Sequence, residues 1–69
     1  MNRVKKAVVG VVCDLEQVGP HPFHIAGNKY LQAIIGAADC VPILIPALAD
    51  LTEIDAILSI VDGILLPGG

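Results

Sequence analysis

Apolar residues along this chain fall into short runs that are separated by polar residues, glycines and prolines. The first run, Ala7 to Cys13 (AVVGVVC), is rich in valine and does not alternate with polar residues. Such a run predicts a strand that is covered on both faces, as in a parallel sheet. The next segment, Asp14 to His24, holds Gly19, Pro20 and Pro22 among polar residues. It therefore predicts a loop at the carboxyl end of the strand.

The pattern changes to a helical period at Asn28, which is a candidate N-cap. The apolar stripe of this predicted helix consists of Tyr30, Leu31, Ile34, Ile35 and Ala38. A second apolar run, Val41 to Ile45, predicts the next strand and is closed by Pro46. Pro42 is compatible with this strand because the first residues of a strand need not donate to the ladder.

A second helix is predicted by apolar residues at helical spacing, namely Leu51, Ile54, Ile57, Leu58 and Val61. Asp50 with Glu53, or Thr52 with Asp55, would form its capping box. Gly63 is predicted to end this helix, and Ile64 to Leu66 to form a third short strand. Strands that alternate with helices predict an α/β fold with a parallel sheet, and the absence of a linker predicts one domain over residues 1–69.

Composition excludes several classes of partner. The 69 residues carry a net charge of −3 with four basic residues, and they include a single Phe, a single Tyr and no Trp. Such a chain has neither a basic face for a phosphate backbone nor aromatic rings on which bases stack, so we expect no nucleic acid partner. At 55% hydrophobic residues it is apolar for its size. A chain this small buries only about 60% of its unfolded surface, so we expect a homo-oligomer or association with further sequence.

The two cysteines, Cys13 and Cys40, lie inside apolar runs and not in a spaced framework. We interpret them as reduced thiols of a soluble cytoplasmic protein. Charged residues and prolines interrupt the longest apolar stretch before it reaches the ~20 residues of a membrane span, so we expect no membrane association.

Candidate chemistry lies at the carboxyl ends of the predicted strands, where open parallel sheets bind ligands. His21 and His24 follow the first strand, but no cluster of Cys, Asp or Glu accompanies them, so we expect no metal site. No glycine-rich nucleotide motif is present. Asp14 is more simply a cap for loop amides than a partner for a reacting group. Cys13 lacks the flanking glycines of a nucleophile elbow, which disfavours a nucleophilic role.

The Pro67-Gly68-Gly69 turn follows the third predicted strand. Two glycines there allow positive φ and a close approach of backbone N–H groups to a ligand, as an oxyanion hole requires. An ordinary turn that ends a strand explains the same residues, and this feature alone favours that simpler interpretation.

Two longer segments change that balance: His21 to Asp50, HPFHIAGNKYLQAIIGAADCVPILIPALAD, and Asp62 to Gly69, DGILLPGG. Together with the first strand they resemble the amino terminus of the γ-glutamyl-γ-aminobutyrate hydrolase (peptidase C26) family, of the class I glutamine amidotransferase-like superfamily. The resemblance implies the amino-terminal βαβαβ portion of a flavodoxin-like sheet. It further implies hydrolysis of γ-glutamyl amides by a Cys-His-Glu triad through a thioester, without a metal or other cofactor.

The resemblance also implies roles for particular residues. A glycine N–H of the Pro-Gly-Gly turn would contribute to the oxyanion hole, with Gly69 the first choice and Gly68 the second. His24, Asn28 and Tyr30 match positions that line or support the substrate cleft. The family's nucleophile, His and Glu lie downstream of the Pro-Gly-Gly turn, so this chain is expected to lack the triad and to be inactive alone.

One departure from the family pattern lies between the first helix and the second strand, where Asp39 and Cys40 replace a Gly-Gly pair. A non-glycine residue at a left-handed helix end costs about 1 kcal/mol.

Two other functions are left open by the sequence, namely a self-associating module without catalysis and a small-molecule binder of flavodoxin topology.

Overall fold

The computed structural model describes residues 5–47 and 54–67. In chain order its elements are the strands and helices β1 (Val8–Val12), β2 (Asp14–Val18), β3 (His21–Ile25), α1 (Asn28–Gly36), β4 (Val41–Ile45), α2 (Ile54–Ile60) and β5 (Gly63–Leu65). They form one three-stranded sheet, one two-stranded hairpin and two short helices within these residues.

The three-stranded sheet has the order β4-β1-β5, and both of its strand pairs are parallel. Val8 to Val12 of β1 face Val41 to Ile45 of β4, while Val9 to Val11 face Gly63 to Leu65 of β5. The strand that comes first in the chain is thus the centre of this sheet, which is the order of the first three strands of a flavodoxin-like sheet. The predicted α/β class with a parallel sheet is confirmed.

The core of the described residues is small and centres on β1. Val11 is fully buried, and Cys13, Ile34 and Ile45 are the other buried apolar side chains. Gly10 lies beneath the Ile45 side chain and near Val61, so that a Cβ at this position would collide with the end of the Ile45 side chain and lie 3.3 Å from Val61 Cγ1. The glycine in the middle of this valine run therefore makes room for neighbouring side chains.

The amino-terminal edge of the sheet is closed by Asp62. The Val8 N–H donates to Asp62 Oδ2 at 2.8 Å, and the Asp62 N–H donates to the Val8 carbonyl at 2.7 Å. These two bonds set the start of β5 beside β1. The expectation that Gly63 ends the second helix is wrong by a few residues, because α2 ends at Ile60 and Gly63 is already paired with Val9.

The predicted loop from Asp14 to His24 is also wrong. Residues 14–18 and 21–25 instead form two antiparallel strands, with Asp14 opposite Ile25 and Val18 opposite His21. The two residues that connect them are Gly19, with φ +61°, and Pro20. A positive φ at the first position and the negative φ that proline fixes at the second match a type II′ turn, whose twist suits a hairpin.

Pro22 fits into β3 because of its place relative to this turn. In a hairpin with a two-residue loop, Val18 and His21 form the closing hydrogen-bonded pair, so the next pair, Gln17 and Pro22, is not hydrogen-bonded. The proline nitrogen then points away from β2. Its missing N–H removes no bond from the ladder, which is why proline is tolerated on an edge strand.

Helix α1 begins at Asn28, as predicted, but Asn28 is not its cap. The N-cap is Gly27, and no side chain makes a capping hydrogen bond there. Of the predicted stripe, Ile34 is buried, whereas Ile35 is 58% exposed. The proposed capping residues Asp50, Thr52 and Glu53 of the second helix lie outside the described residues. Neither described helix has the length and apolar character needed to cross a membrane.

In the turn from α1 into β4, Asp39 adopts the left-handed conformation expected where it replaces a family glycine. This residue has φ +53°, in the left-handed region that glycine occupies without strain. Its carboxylate lies 2.9 Å from Lys6 Nζ, and both side chains are at least half exposed, so the ion pair contributes little.

Substitution of Asp39 tests this backbone strain. Asp39→Gly and Asp39→Ala both remove the ion pair, but only alanine keeps a Cβ at positive φ, so we expect Asp39→Gly to be the more stable variant by about 1 kcal/mol. Urea unfolding at one fixed protein concentration measures the difference. Lys6→Gln, which removes the same ion pair and leaves the backbone alone, is expected to stay within about 0.5 kcal/mol of the parent. Equal stability of the two Asp39 variants would contradict the strain.

Candidate functional site

The carboxyl ends of β1, β4 and β5 share one edge of the sheet, since all three strands are parallel. The Cys13 N–H donates to the Ile45 carbonyl at 2.9 Å, which continues the pairing one residue past β1. In this strand order the chain leaves β1 towards β4 on one side and returns to β5 on the other. Ligands of doubly wound folds bind at that reversal, outside the ends of the strands.

Three segments surround this edge. The β2–β3 hairpin follows β1 after a single residue, Pro46 and Ala47 follow β4, and Leu66 and Pro67 follow β5. Pro67 is half-buried and comes two residues after Leu65, the last residue of β5 that pairs with β1. Gly68 and Gly69, the predicted oxyanion-hole residues, lie outside the described residues.

His24 connects the hairpin to the segment after β4. The Ala47 N–H donates to His24 Nδ1 at 3.0 Å. Because a neutral imidazole carries its proton on one nitrogen, this bond assigns the proton to Nε2. His24 therefore presents an N–H donor while its other nitrogen is occupied. Nothing in the sequence pattern indicates that Ala47, a small apolar residue, is its partner.

His21 and His24 do not form a pair. They lie three positions apart on β3, and side chains along a strand alternate between its two faces, so the two rings project to opposite sides of the hairpin. Among the described residues no group of three or more His, Cys, Asp and Glu side chains is placed to hold a metal ion. Asp14 starts β2 and is exposed, on the same face of the hairpin as His21.

Asn28, Lys29 and Tyr30 form the first turn of α1, where the hairpin leads into the helix. The Tyr30 N–H donates to the Gly27 carbonyl at 3.1 Å, and the Tyr30 ring lies so close to Gly27 that an added Cβ would be 3.1 Å from its Cδ2. Lys29 Nζ lies 5.0 Å from the centroid of the same ring, a cation–π distance. Tyr30 is therefore held by its neighbours in sequence. A side chain at position 27 would crowd this ring, so glycine there makes room for Tyr30.

The two cysteines lie at opposite edges of the sheet. Cys13 is only 5% exposed, at the carboxyl edge. Burial raises the pKa of its thiol, the Asp14 carboxylate raises that pKa further, and a backbone hydrogen bond with Ile45 lowers it in part. Cys40 directly precedes β4, at the amino edge, and its Sγ donates to the Ala38 carbonyl at 3.2 Å. A buried thiol with a raised pKa is a poor nucleophile. Cys40 is far from the carboxyl edge of the sheet, where ligands of such folds bind and which we call the ligand edge.

A shallow depression lies at the amino edge and is lined by Lys5, Lys6, Ala7 and Asp62. Its one carboxylate already accepts the Val8 N–H. It lies at the end of the sheet opposite to the ligand edge and has no part in the candidate site.

Comparison with known proteins identifies the family of this chain. The family model described as Peptidase C26 matches residues 7–69. A comparison with curated proteins finds no match. Because the family model covers all but the first six residues, the chain belongs to the Peptidase C26 family.

Proposed function

We propose that this chain is the amino-terminal part of a glutamine amidotransferase-like hydrolase that cleaves γ-glutamyl amides, of the γ-glutamyl-γ-aminobutyrate hydrolase type. The observation that carries the proposal is the Peptidase C26 match over residues 7–69. That family membership suggests a glutamine amidotransferase-like hydrolase, and the γ-glutamyl substrate is the finer step that we add from the resemblance.

The strand order supports a ligand site at the carboxyl edge. The Pro-Gly-Gly sequence begins two residues after β5, and β5 pairs directly with β1, so this sequence follows a strand at the reversal point of the sheet. We assign the oxyanion-stabilising N–H to Gly69, with Gly68 as the second choice. Backbone N–H groups suit this task because they are fixed before the negative charge develops.

The proposed chemistry follows from a thiolate nucleophile. Sulfur attacks the γ-carbonyl carbon, the C–N bond breaks, and the amine leaves with a proton from a histidine, giving a thioester. Water then attacks the thioester carbonyl, the C–S bond breaks, and glutamate and the thiol are released. No step is a redox step, and none requires a metal or other cofactor.

The nucleophile of this reaction is proposed to come from outside residues 1–69. Cys13 is buried and its thiol pKa is raised, while Cys40 lies at the other edge of the sheet. The sequence has no third cysteine. A Cys-His-Glu triad therefore needs residues that complete the domain, and the 69-residue chain is proposed to be inactive by itself.

His24, Asn28 and Tyr30 are proposed to line or support the substrate cleft. His24 offers an Nε2–H donor, and Asn28 is exposed at the start of α1. Hydrogen-bond donors at this edge suit the carboxylate and carbonyl oxygens of a γ-glutamyl group. Tyr30 is half-buried against Gly27 and supports the turn that presents Asn28.

We propose further that the chain, as a cytoplasmic protein, associates with the remainder of such a domain or with a second copy. Large apolar side chains on the helices and on both outer strands of the described sheet are exposed, among them Ile35, Leu44, Leu58, Ile60 and Ile64. Exposed apolar side chains beside unpaired strand edges favour association.

Complementation tests the enzymatic assignment. A Peptidase C26 enzyme that lacks its own amino-terminal βαβαβ segment is mixed with this chain, and hydrolysis of γ-glutamyl-γ-aminobutyrate is measured. We expect activity from the mixture and none from either part alone. Gly69→Pro, which removes the N–H, should lower kcat by about 10²–10³-fold, whereas Gly69→Ala retains the N–H as the matched control.

Two results would contradict this assignment. One is turnover of γ-glutamyl-γ-aminobutyrate above background by the purified 69-residue chain alone. The other is a mixture that stays inactive although the deleted enzyme's own segment, added in the same way, restores hydrolysis.

Alkylation separates the two cysteines. Only the thiolate reacts with iodoacetamide, and burial both shields Cys13 and raises its pKa, so less of it is thiolate at any given alkaline pH. We expect Cys13 to react at least about tenfold more slowly than Cys40 in the folded chain, and at a similar rate in urea. Mass spectrometry of Cys13→Ser and Cys40→Ser measures each thiol singly. Faster labelling of Cys13 would show that it is an accessible, activated thiol.

Sedimentation tests the association. We expect the purified chain to sediment as a dimer or larger species that dissociates on dilution. Leu44→Lys and Ile64→Lys replace exposed side chains on the two outer strands and should shift the distribution towards the monomer. Lys5→Gln, at the amino edge, serves as a control. A stable monomer at all concentrations would contradict association with a second copy, and the complementation experiment tests association with the remainder of the domain.

A further inference from the structure

The β2–β3 hairpin lies beside the carboxyl edge of the sheet with few bonds to hold it. All ten of its strand residues are exposed, and the strands pair only with each other. An isolated two-stranded hairpin is of borderline stability in water, so its position depends on its attachments. The chain attaches it through Cys13 at one end and through residues 26–27 at the other.

One side-chain hydrogen bond joins the hairpin to another part of the described chain, the bond from the Ala47 N–H to His24 Nδ1 at 3.0 Å. It spans 23 positions of sequence and ties the middle of β3 to the segment after β4. A bond of this kind requires an unprotonated Nδ1, because the imidazolium form has two donors and no acceptor.

We propose that His24 is a proton-sensitive latch that holds the hairpin against the segment after β4 when its ring is neutral and releases the hairpin when the ring is protonated. His24 is in this proposal a positioning residue: it sets where the hairpin lies at the ligand edge. The proposal concerns the folded chain alone and does not depend on hydrolytic activity.

The surroundings of His24 leave the ring free to act in this way. On its own face of the hairpin the neighbours are Leu15, Gln17 and Pro22, which carry no charge. The charged and titratable residues of the hairpin, Asp14, Glu16 and His21, lie on the opposite face. Pro46 and Ala47 are uncharged.

The titratable side chains at the adjoining ends of β1 and α1 are Cys13, Lys29 and Tyr30. Lys29 Nζ, at the start of α1, lies over the Tyr30 ring at 5.0 Å. The Cys13 thiol is buried at the end of β1 and stays protonated, since its pKa is raised. No described carboxylate on the His24 face of the hairpin can therefore replace the Ala47 bond by pairing with a protonated ring.

Nuclear magnetic resonance of the isotope-labelled 69-residue chain tests the latch. At about pH 8 we expect the His24 ring in the Nε2–H form, and between about pH 8 and pH 5, where histidines change charge, the Ala47 amide resonance should move with the same midpoint as the His24 ring. Amide resonances of the hairpin should move with it, while those of β1 and β4 stay in place and report that the sheet remains folded.

Three variants sharpen the test. The side-chain oxygen of an asparagine can take the place of Nδ1, so His24→Asn should keep the Ala47 amide protected from hydrogen exchange at every pH in this range. His24→Gln, whose oxygen reaches the position of Nε2 instead, should lose that protection by about tenfold or more at every pH. His21→Asn should leave the response of the Ala47 amide to pH unchanged. An Nδ1–H form of His24 at pH 8, or an Ala47 amide that does not follow the His24 ring in the parent chain, would overturn the proposal whatever the variants do.

Discussion

The structure depends on the central position of β1 in the parallel sheet. This strand is hydrogen-bonded to β4 on one side and to β5 on the other, and Val11 in its middle is fully buried. Both edges of β1 are thus covered, whereas β4 and β5 each pair on one side within the described residues. The single core is therefore organised around five consecutive residues, and every element that approaches the ligand edge is placed relative to them.

The amino edge of this sheet holds stabilising contacts, whereas the carboxyl edge is the proposed ligand site. At the amino edge, Asp62 bonds to Val8 through both its backbone and its carboxylate, and Lys6 pairs with Asp39 in the turn before β4. The Asp62 bonds fix the start of β5 beside β1, whereas the exposed ion pair contributes little. At the carboxyl edge the strands continue into the hairpin, the Pro46–Ala47 segment and Leu66–Pro67, the region where we propose that a ligand binds. Stability and proposed chemistry are in this way separated along the length of the strands.

The parallel sheet could be predicted from the sequence because its strands are nearly continuous apolar runs. AVVGVVC and VPILI have no polar face, which is typical of burial on both sides, and the structure places both within a residue or two of the predicted bounds. Helix α1 was predicted for a similar reason, since its apolar residues follow a period of 3.6. The Peptidase C26 resemblance, which rested on the same segments, agrees with the family match.

The hairpin could not be predicted in the same way. Its strands, DLEQV and HPFHI, bury neither face, so their apolar residues show no strict alternation. Pro22 argues against a strand unless one knows that its nitrogen points away from the neighbouring strand, which the sequence does not reveal. Val18-Gly19-Pro20-His21 did carry a signal, a glycine at the first of two loop positions. The contact between His24 and Ala47 left no trace in the sequence, because a backbone N–H can be donated by any residue except proline.

Pro22 also affects what the outer side of β3 offers to another chain. The inward-facing N–H groups of this strand are used by β2, and the outward-facing ones would come from residues 22 and 24, of which the proline has none. A third strand that tried to extend the hairpin along this side would find one donor where a regular strand of the same length has two. The ring that interrupts the sequence pattern thus discourages sheet growth along the outer side of β3.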